Sequence, residues 1–462
     1  MAESKYEELR EKYPEFIYKS YSLQYREGEI LISYSFEIPG LASFNPSTKI
    51  STENLKLVNG FNSETGRKII FYLGMVEAVS YLKCACCPVM RVECGYLSEK
   101  EKSWWKKLYF GGLGEFFYRN GINADFETFL TIEAEGVKID AKGEEINISE
   151  RALVPIGGGK DSAVTAELVK KCCGDILFFT VNSQQARTDT VLAAGFGEDS
   201  IVKTQRTIDS RLLELNKQGF LNGHTPFSAI VAFLSLYCGY ITGSAYIVLS
   251  NESSANESNI KGLSVNHQYS KSYEFERDFS EYVRENILEG IDYFSILRPF
   301  NELQIAKEFC SYPKYLHKFR SCNAGSKENK WCCNCPKCLF VFGILSAFTD
   351  TEELTEVFGE NLFEKEEMLE DFRGLVGLSP VKPFECVGTA EEIRFALSAA
   401  IAKYRQRGKE LPPLLREFEE NFNTEEILKS PVLSEFNNEH GIPEKFMPAV
   451  KEMYGYVSGK SD

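Results

Sequence analysis

The segment Val154-Pro155-Ile156-Gly157-Gly158-Gly159-Lys160-Asp161-Ser162 has the residues needed to hold an anion. Three consecutive glycines let a backbone turn tightly and approach a charged group closely. A helix opening at Lys160 aims its unpaired N–H groups and partial positive charge at the same point. Lys160 then adds a point charge, Asp161 can cap the helix or influence a bound magnesium ion, and Ser162 offers a hydroxyl to an oxyanion. The competing reading is a glycine-rich strand–helix connection without a ligand. The apolar strand before the glycines and the Lys-Asp-Ser after them argue against it. The loop is neither the GxxxxGK[ST] pattern nor GxGxxG.

A second constellation is Cys322-x9-Cys332-x2-Cys335-x2-Cys338. Thiolates suit zinc, and two CxxC steps bring three ligands around one tight loop. Four protein ligands would close such a site, which implies a structural rather than a catalytic ion. Cys333 can take the place of Cys332 in this scheme, and a set of reduced cysteines in a turn is the alternative. Cys84, Cys86, Cys87 and Cys94 have poorer spacing in a more apolar setting and read as core.

Five further places carry polar chemistry. Asn251 and Glu252 follow an apolar run, and Ser253, Ser254, Asn256 and Glu257 continue that loop. A solvated turn is the alternative reading there. His224 is a candidate proton carrier, because an unperturbed histidine titrates near neutrality, or it can simply precede a helix at Thr225-Pro226; His267 is a second candidate. Arg119 can bind a carboxylate or phosphate through both guanidinium nitrogens, or form a surface ion pair. Asn182 and Ser183 close a predicted strand. Glu385 and Cys386 can approach from the C-terminal region.

These residues need a frame. Apolar runs at 152–156, 176–181, 200–203, 246–250 and 294–297 alternate with helix-like segments such as 161–171 and 272–288. That alternation predicts a parallel sheet covered on both faces, with ligands outside its carboxyl edge. Before it, 16–23 and 29–36 alternate aromatic and polar residues around Gly28, which predicts a hairpin. A helix is expected over 67–82, and further strands over 129–148 with turns at Gly136 and Gly143. After the sheet the chain reads as helical, with capping boxes at Thr349-x-x-Glu352 and Thr389-x-x-Glu392. The expected division is an α+β domain at 1–149, an α/β domain at 150–346 carrying the glycine loop and the cysteines, and a helical region at 347–462.

The 462 residues carry a formal net charge of −15 and contain 14 cysteines. A strongly acidic chain without a long basic run is poorly matched to nucleic acid. Adjacent cysteine pairs and the absence of an apolar signal segment over 1–23 point to a reducing cytoplasm. The uncharged stretch 225–250 is long enough to span a bilayer. Its Pro226, Gly239, Gly243 and hydroxyl residues instead predict a buried helix ending near Gly239, followed by a strand.

The glycine loop resembles the SGGxDS pyrophosphate motif of the PP-loop ATP pyrophosphatases, with Gly157 where that superfamily usually has Ser. That change removes one hydroxyl and leaves Ser162 and the backbone to hold pyrophosphate. The cysteine pattern resembles the zinc loop of the deazaguanine-nitrile synthases of the same superfamily. Leu113-Gly114-Glu115-Phe116-Phe117-Tyr118-Arg119-Asn120, His224-Thr225-Pro226, the stretch from Leu249 to Glu257, and Pro383-Phe384-Glu385-Cys386-Val387-Gly388-Thr389 join GGGKDS in a closer match. Together they look like the MurL family. The resemblance implies ATP-dependent epimerisation of the terminal L-glutamate of UDP-N-acetylmuramoyl-L-alanyl-L-glutamate, with release of AMP and pyrophosphate, in peptidoglycan precursor synthesis. It implies ATP and magnesium at Gly157, Gly158, Gly159, Lys160, Asp161 and Ser162, with Asn182 and Asn251 beside the nucleotide. Asp161, Glu252 and His224 become candidate catalytic residues, and Arg119 and Asn256 candidate substrate contacts. A small UDP-muramoyl dipeptide is the implied partner, with no nucleic acid and no membrane. Another PP-loop enzyme acting on a nucleobase or tRNA, and a non-catalytic nucleotide-binding module, are the competing readings.

Overall fold

Alternating aromatic and polar residues near the N-terminus close the expected hairpin. In the computed structural model, which describes residues 2–141, 144–256, 269–379, 383, 385 and 387–460, β1 (Glu15–Arg26) pairs antiparallel with β2 (Glu29–Ile38) down to Arg26↔Glu29. Glu27 (φ 51°) and Gly28 (φ 78°) both take left-handed backbone, the turn geometry that matches strand twist. β3 (Ala42–Phe44) and β4 (Ser47–Ser51) pair with β2, and β5 (Val89–Val92) and β6 (Thr131–Glu133) run parallel beyond β1.

The apolar runs form β7 (Ser149–Pro155), β8 (Ile176–Val181), β9 (Ile201–Thr207), β10 (Ser244–Leu249) and β11 (Asp292–Ser295). They lie parallel in the order β11-β10-β7-β8-β9. In β8, β10 and the second half of β7 successive side chains serve opposite cores, which is why these stretches are apolar without alternation, whereas β9 is apolar only at Ile201 and Val202. Leu153, Phe179 and Ile247 enter one core, and Val154, Phe178 and Val248 the other. The first core is covered by the helices Glu64–Leu82 and Phe227–Thr242. The second is covered by Lys160–Cys172, Glu302–Cys310, Pro336–Ser346 and, from the helical C-terminal region, Ala390–Gln406 and Met447–Ser458.

The chain is therefore a mixed α/β structure around a large, mostly parallel sheet. Strand order reverses between β7 and β10, so the loops leaving those two strands diverge and open a crevice at their carboxyl ends. β4 pairs antiparallel with β9, from Ser47↔Thr207 to Ile50↔Thr204, so the sheet continues on both sides of residue 150.

Three local expectations are corrected. Over 129–148 the described residues hold only the short strand β6, because 137–141 and 144–148 find no partner strand; Gly143 lies outside the described residues. The helix over 227–242 runs past Gly239, whose bare Cα faces Ile247 and Leu153 on the sheet, and stops at Gly243 with φ 68°. Thr349 does not cap: the next helix begins at Thr351 after Asp350, the Thr349 hydroxyl lies 3.1 Å from Cys310 Sγ, and Glu352 pairs with Arg407 at 3.1 Å. The capping box of Thr389 and Glu392 does form. Among the described residues no helix is long and apolar enough to cross a membrane.

Candidate active site

The crevice at the β7/β10 divergence is a cleft of about 300 Å³. Gly157, Gly159, Asp161 and Ser162 line it from the loop after β7, and Ser250, Asn251 and Glu252 from the end of β10. Gln184 and Arg187 enter after β8, and Arg320 to Asn323 close the wall that abuts the glycine loop.

The glycine loop takes the expected shape. Gly158 sits at φ 84°, and a Cβ there would press on Ala186 at 3.1 Å. Gly159 is the N-cap of Lys160–Cys172 and no side chain caps that helix. The Ser162 hydroxyl donates to Gly159 O at 3.0 Å and accepts from Gly158 N at 3.2 Å, so it stiffens the loop it helps to line. A Cβ on Gly157 would meet nothing within 4 Å, so the space for a serine exists at that position.

Lys160 is not among the residues that line the cleft. Its buried ammonium pairs with Asp161 and with Glu302, the first residue of Glu302–Cys310. Burial opposes the Lys160 charge, but Asp161 and Glu302 outweigh it and hold the ammonium above the ordinary lysine range. Burial pushes the Glu302 carboxyl well up; Lys160 pulls it down only in part, and Asp161 and Glu252 push it up further. Glu252 is raised the same way, by burial first, with Lys271 opposing. Asp161, Glu252 and Glu302 thus lie close enough to act on one another, and burial disfavours the charged forms of Glu252 and Glu302. Asp161 and Glu252 are the two that face the cleft.

Arg298 holds the loop after β10. Fully buried, it donates to Glu252 O at 2.9 Å, to Lys271 O at 2.8 Å and to Glu276 Oε2 at 2.7 Å. Glu392 holds the same loop from the C-terminal region. One of its carboxylate oxygens accepts from Ser254 Oγ at 2.8 Å and Glu302 N at 2.7 Å, and the other from Thr389 N. Among the described residues, two buried polar atoms on the cleft lining have no protein partner: Ser250 Oγ and Arg187 Nε.

The remaining sequence candidates divide. Asn251 lines the cleft. Asn182 (φ 63°) lines a neighbouring cavity of about 690 Å³, which shares Gln184 and Arg187 with the first; its side-chain oxygen accepts from Arg206 N at 2.8 Å. His224 precedes Phe227–Thr242, a helix whose Ser228 and Val231 line the cleft. His224 Nδ1 lies 3.5 Å from Glu115 Oε2, and Arg119 pairs with the other oxygen of Glu115, so these two candidates meet on one carboxylate outside the cleft lining. Buried Lys83 fixes the same loop, with its ammonium 2.8 Å from Thr225 Oγ1 and bonded to Gly223 O; burial lowers it to about 8. Asn256 ends the short turn Ser253–Asn256, while Glu257, His267 and Cys386 lie outside the described residues. Glu385 is not among the residues lining the cleft. Cys322, Cys332, Cys335 and Cys338 come together, and Cys322 lines the cleft. Cys84, Cys86 and Cys87 are buried in the first core.

Sequence reasoning missed Arg298, Glu302, Arg187, Arg320, Glu115 and Lys83. Arg298 carried a signal as the sole charge in the run from Tyr293 to Phe300, and Glu115 stood in the Leu113–Asn120 motif without a role of its own.

The MurL N-terminal domain model matches residues 7–296, and the MurL C-terminal domain model matches 318–429. A UDP-N-acetyl-alpha-D-muramoyl-L-alanyl-L-glutamate epimerase of Xanthomonas oryzae pv. oryzae is 30% identical over 397 residues, covering 84% of this chain and 86% of that protein. Proteins of the same name from Micromonospora sp. (33% over 390 residues; 83% of this chain, 86% of that one) and Salinispora tropica (32% over 397; 83% and 84%) are also similar. With both domain models matched in order across the sheet and the helical region, the chain belongs to the MurL family and is an enzyme of the isomerase class, an epimerase.

Proposed function

We propose that this enzyme inverts the terminal L-glutamate of UDP-N-acetylmuramoyl-L-alanyl-L-glutamate to D-glutamate, using ATP and a carboxyl-adenylate. The substrate half of this reading is supported by the names of the relatives. The ATP half rests on one observation: an uncapped helix N-terminus and a triple-glycine turn face a cleft at the strand-order reversal, beside unpartnered donors. Backbone N–H groups there suit pyrophosphate, and Arg187 Nε and Ser250 Oγ are groups that a phosphate or ribose oxygen would satisfy.

An α-proton next to a carboxylate resists removal because the carbanion adds to an existing negative charge. In the proposed route a carboxylate oxygen attacks the α-phosphorus of ATP and the bond to pyrophosphate breaks. The acyl group formed has lost its charge and is a better electron sink. A base then removes the α-proton, and a proton returns on the opposite face. Water adds to the acyl carbon, and AMP leaves with the oxygen that came from the substrate. Asp161 would hold magnesium, which would draw charge from the phosphates when bound. Asn251 and Asn182 are the proposed nucleotide contacts, and Arg119 and Asn256 the proposed substrate contacts. His224, oriented by Glu115, and Glu252 are the proposed proton carriers.

This route places a label. Substrate carrying ¹⁸O in the α-carboxylate of its glutamate should yield AMP with one ¹⁸O, read by mass spectrometry. Unlabelled AMP accompanying inverted product would contradict it.

A further inference from the structure

We infer that Cys322, Cys332, Cys335 and Cys338 bind one zinc ion, and that this ion holds the cleft wall that abuts the glycine loop. The four sulfurs all lie within 4.8 Å of one another, and Cys332 Sγ is 3.7 Å from Cys338 Sγ. A tetrahedron with Zn–S bonds of about 2.3 Å has edges of roughly 3.8 Å. Four mutually close sulfurs fit a single mononuclear ion, whereas disulfides would leave them in two bonded pairs.

The local fold sets the sulfurs in place. Cys335 is the N-cap of Pro336–Ser346 and Cys338 lies in its first turn, so both sit at the positive end of a helix. Gly325 N donates to Cys322 Sγ at 3.2 Å. That turn needs glycine, because a Cβ on Gly325 would strike Lys330 O. The choice between adjacent cysteines is also settled. Cys333, at φ 52°, points its sulfur at Phe358 O, 3.2 Å away, and is not in the cluster.

The segment 320–335 contains no regular element beyond the short turn Ser326–Glu328, so no backbone ladder sets its shape. Yet it forms a cleft wall. Arg320 N donates to Gly158 O at 2.8 Å, Ser321 sits 3.4 Å from where a Gly159 Cβ would be, and Cys322 itself lines the cleft. A metal cross-link from Cys322 to the start of a buried helix supplies the missing constraint.

Metal content of the purified full-length chain tests the ion independently of the reaction proposed above. About one zinc per chain is expected, with near-complete loss in Cys335→Ser and full retention in Cys333→Ser. Should Cys335→Ser fail to fold, chelation of the native chain and readdition of zinc or Co²⁺ gives a second reading, the Co²⁺ form showing tetrahedral thiolate absorption. Trypsin can cut at Arg320, Lys327, Lys330 and Lys337. Cleavage there should become at least about tenfold faster on chelation and be restored by zinc, because local opening controls it. A native chain without zinc, or equal zinc in Cys335→Ser, overturns the metal site. Zinc whose removal leaves proteolysis at 320–337 unchanged overturns its role in the wall. Neither result depends on whether ATP is consumed.

Discussion

Lys160→Met should lower substrate-dependent turnover by about 10²–10³-fold, in the range seen when one preorganised electrostatic partner is removed from an active site. The reason differs from the one that a glycine-loop lysine first suggests. The Lys160 ammonium is buried and held between Asp161 and Glu302. Asp161 faces the cleft, so Lys160 acts by positioning that carboxylate and by offsetting the charge of Glu302. Removing one partner of a buried ion pair costs about 3–5 kcal/mol. The stability loss should fall toward the lower end, because burial already raises the Glu302 carboxyl and it can accept a proton. Lys160→Met/Glu302→Leu should recover stability in urea denaturation without recovering turnover. Recovery of both would mean that Lys160 has no role beyond the ion pair, and near-normal turnover in Lys160→Met would remove it from the site.

Arg298→Met should have the largest effect on stability, about 3–5 kcal/mol, because it strands the Glu276 carboxyl in the core. It also releases the carbonyl of Glu252, so turnover should fall with it. Burial already raises Glu276, and Arg298 is the main group opposing that rise. Without Arg298 the folded-state pKa climbs further above the unfolded value. The unfolded chain loses this proton in the ordinary glutamate range while the folded chain retains it, so stability falls as pH rises between the two. The variant should therefore be destabilised more at about pH 8 than at about pH 5. Arg298 Nε and Glu276 Oε1 have no partner among the described residues even in the native pair. Arg298→Met/Glu276→Leu should consequently regain much of the loss. Thermal unfolding at the two pH values checks this; a pH-independent loss would point to packing rather than charge.

Local order was legible in the sequence wherever one residue's environment set its type. Strands buried on both faces must be apolar, so β8, β10 and the end of β7 stood out, while β9 showed only Ile201 and Val202; the glycines after β7 marked the left-handed turn that Gly158 takes. Thr389-x-x-Glu392 was legible as a cap because both partners lie within one turn of helix. Its second task, tying Ser254 and Glu302 to the C-terminal region, was not, because those contacts join distant parts of the chain. The same limit hid the charge logic of the site. Lys160 and Glu302 are 142 residues apart, and nothing near either one announces the other. Thr349 shows the converse error: its spacing to Glu352 fits a capping box, but its hydroxyl is taken by Cys310. His224 was found by type, while its partner Glu115 was read only as part of a motif.

Incubation of the purified chain with ATP, magnesium and UDP-N-acetylmuramoyl-L-alanyl-L-glutamate tests the central proposal most directly, when pyrophosphate and the chirality of glutamate after acid hydrolysis are measured on the same samples. The proposal predicts pyrophosphate release that requires the muramoyl dipeptide and is accompanied by D-glutamate, with neither formed when ATP is omitted. Inversion without ATP, or pyrophosphate release without inversion, would contradict it.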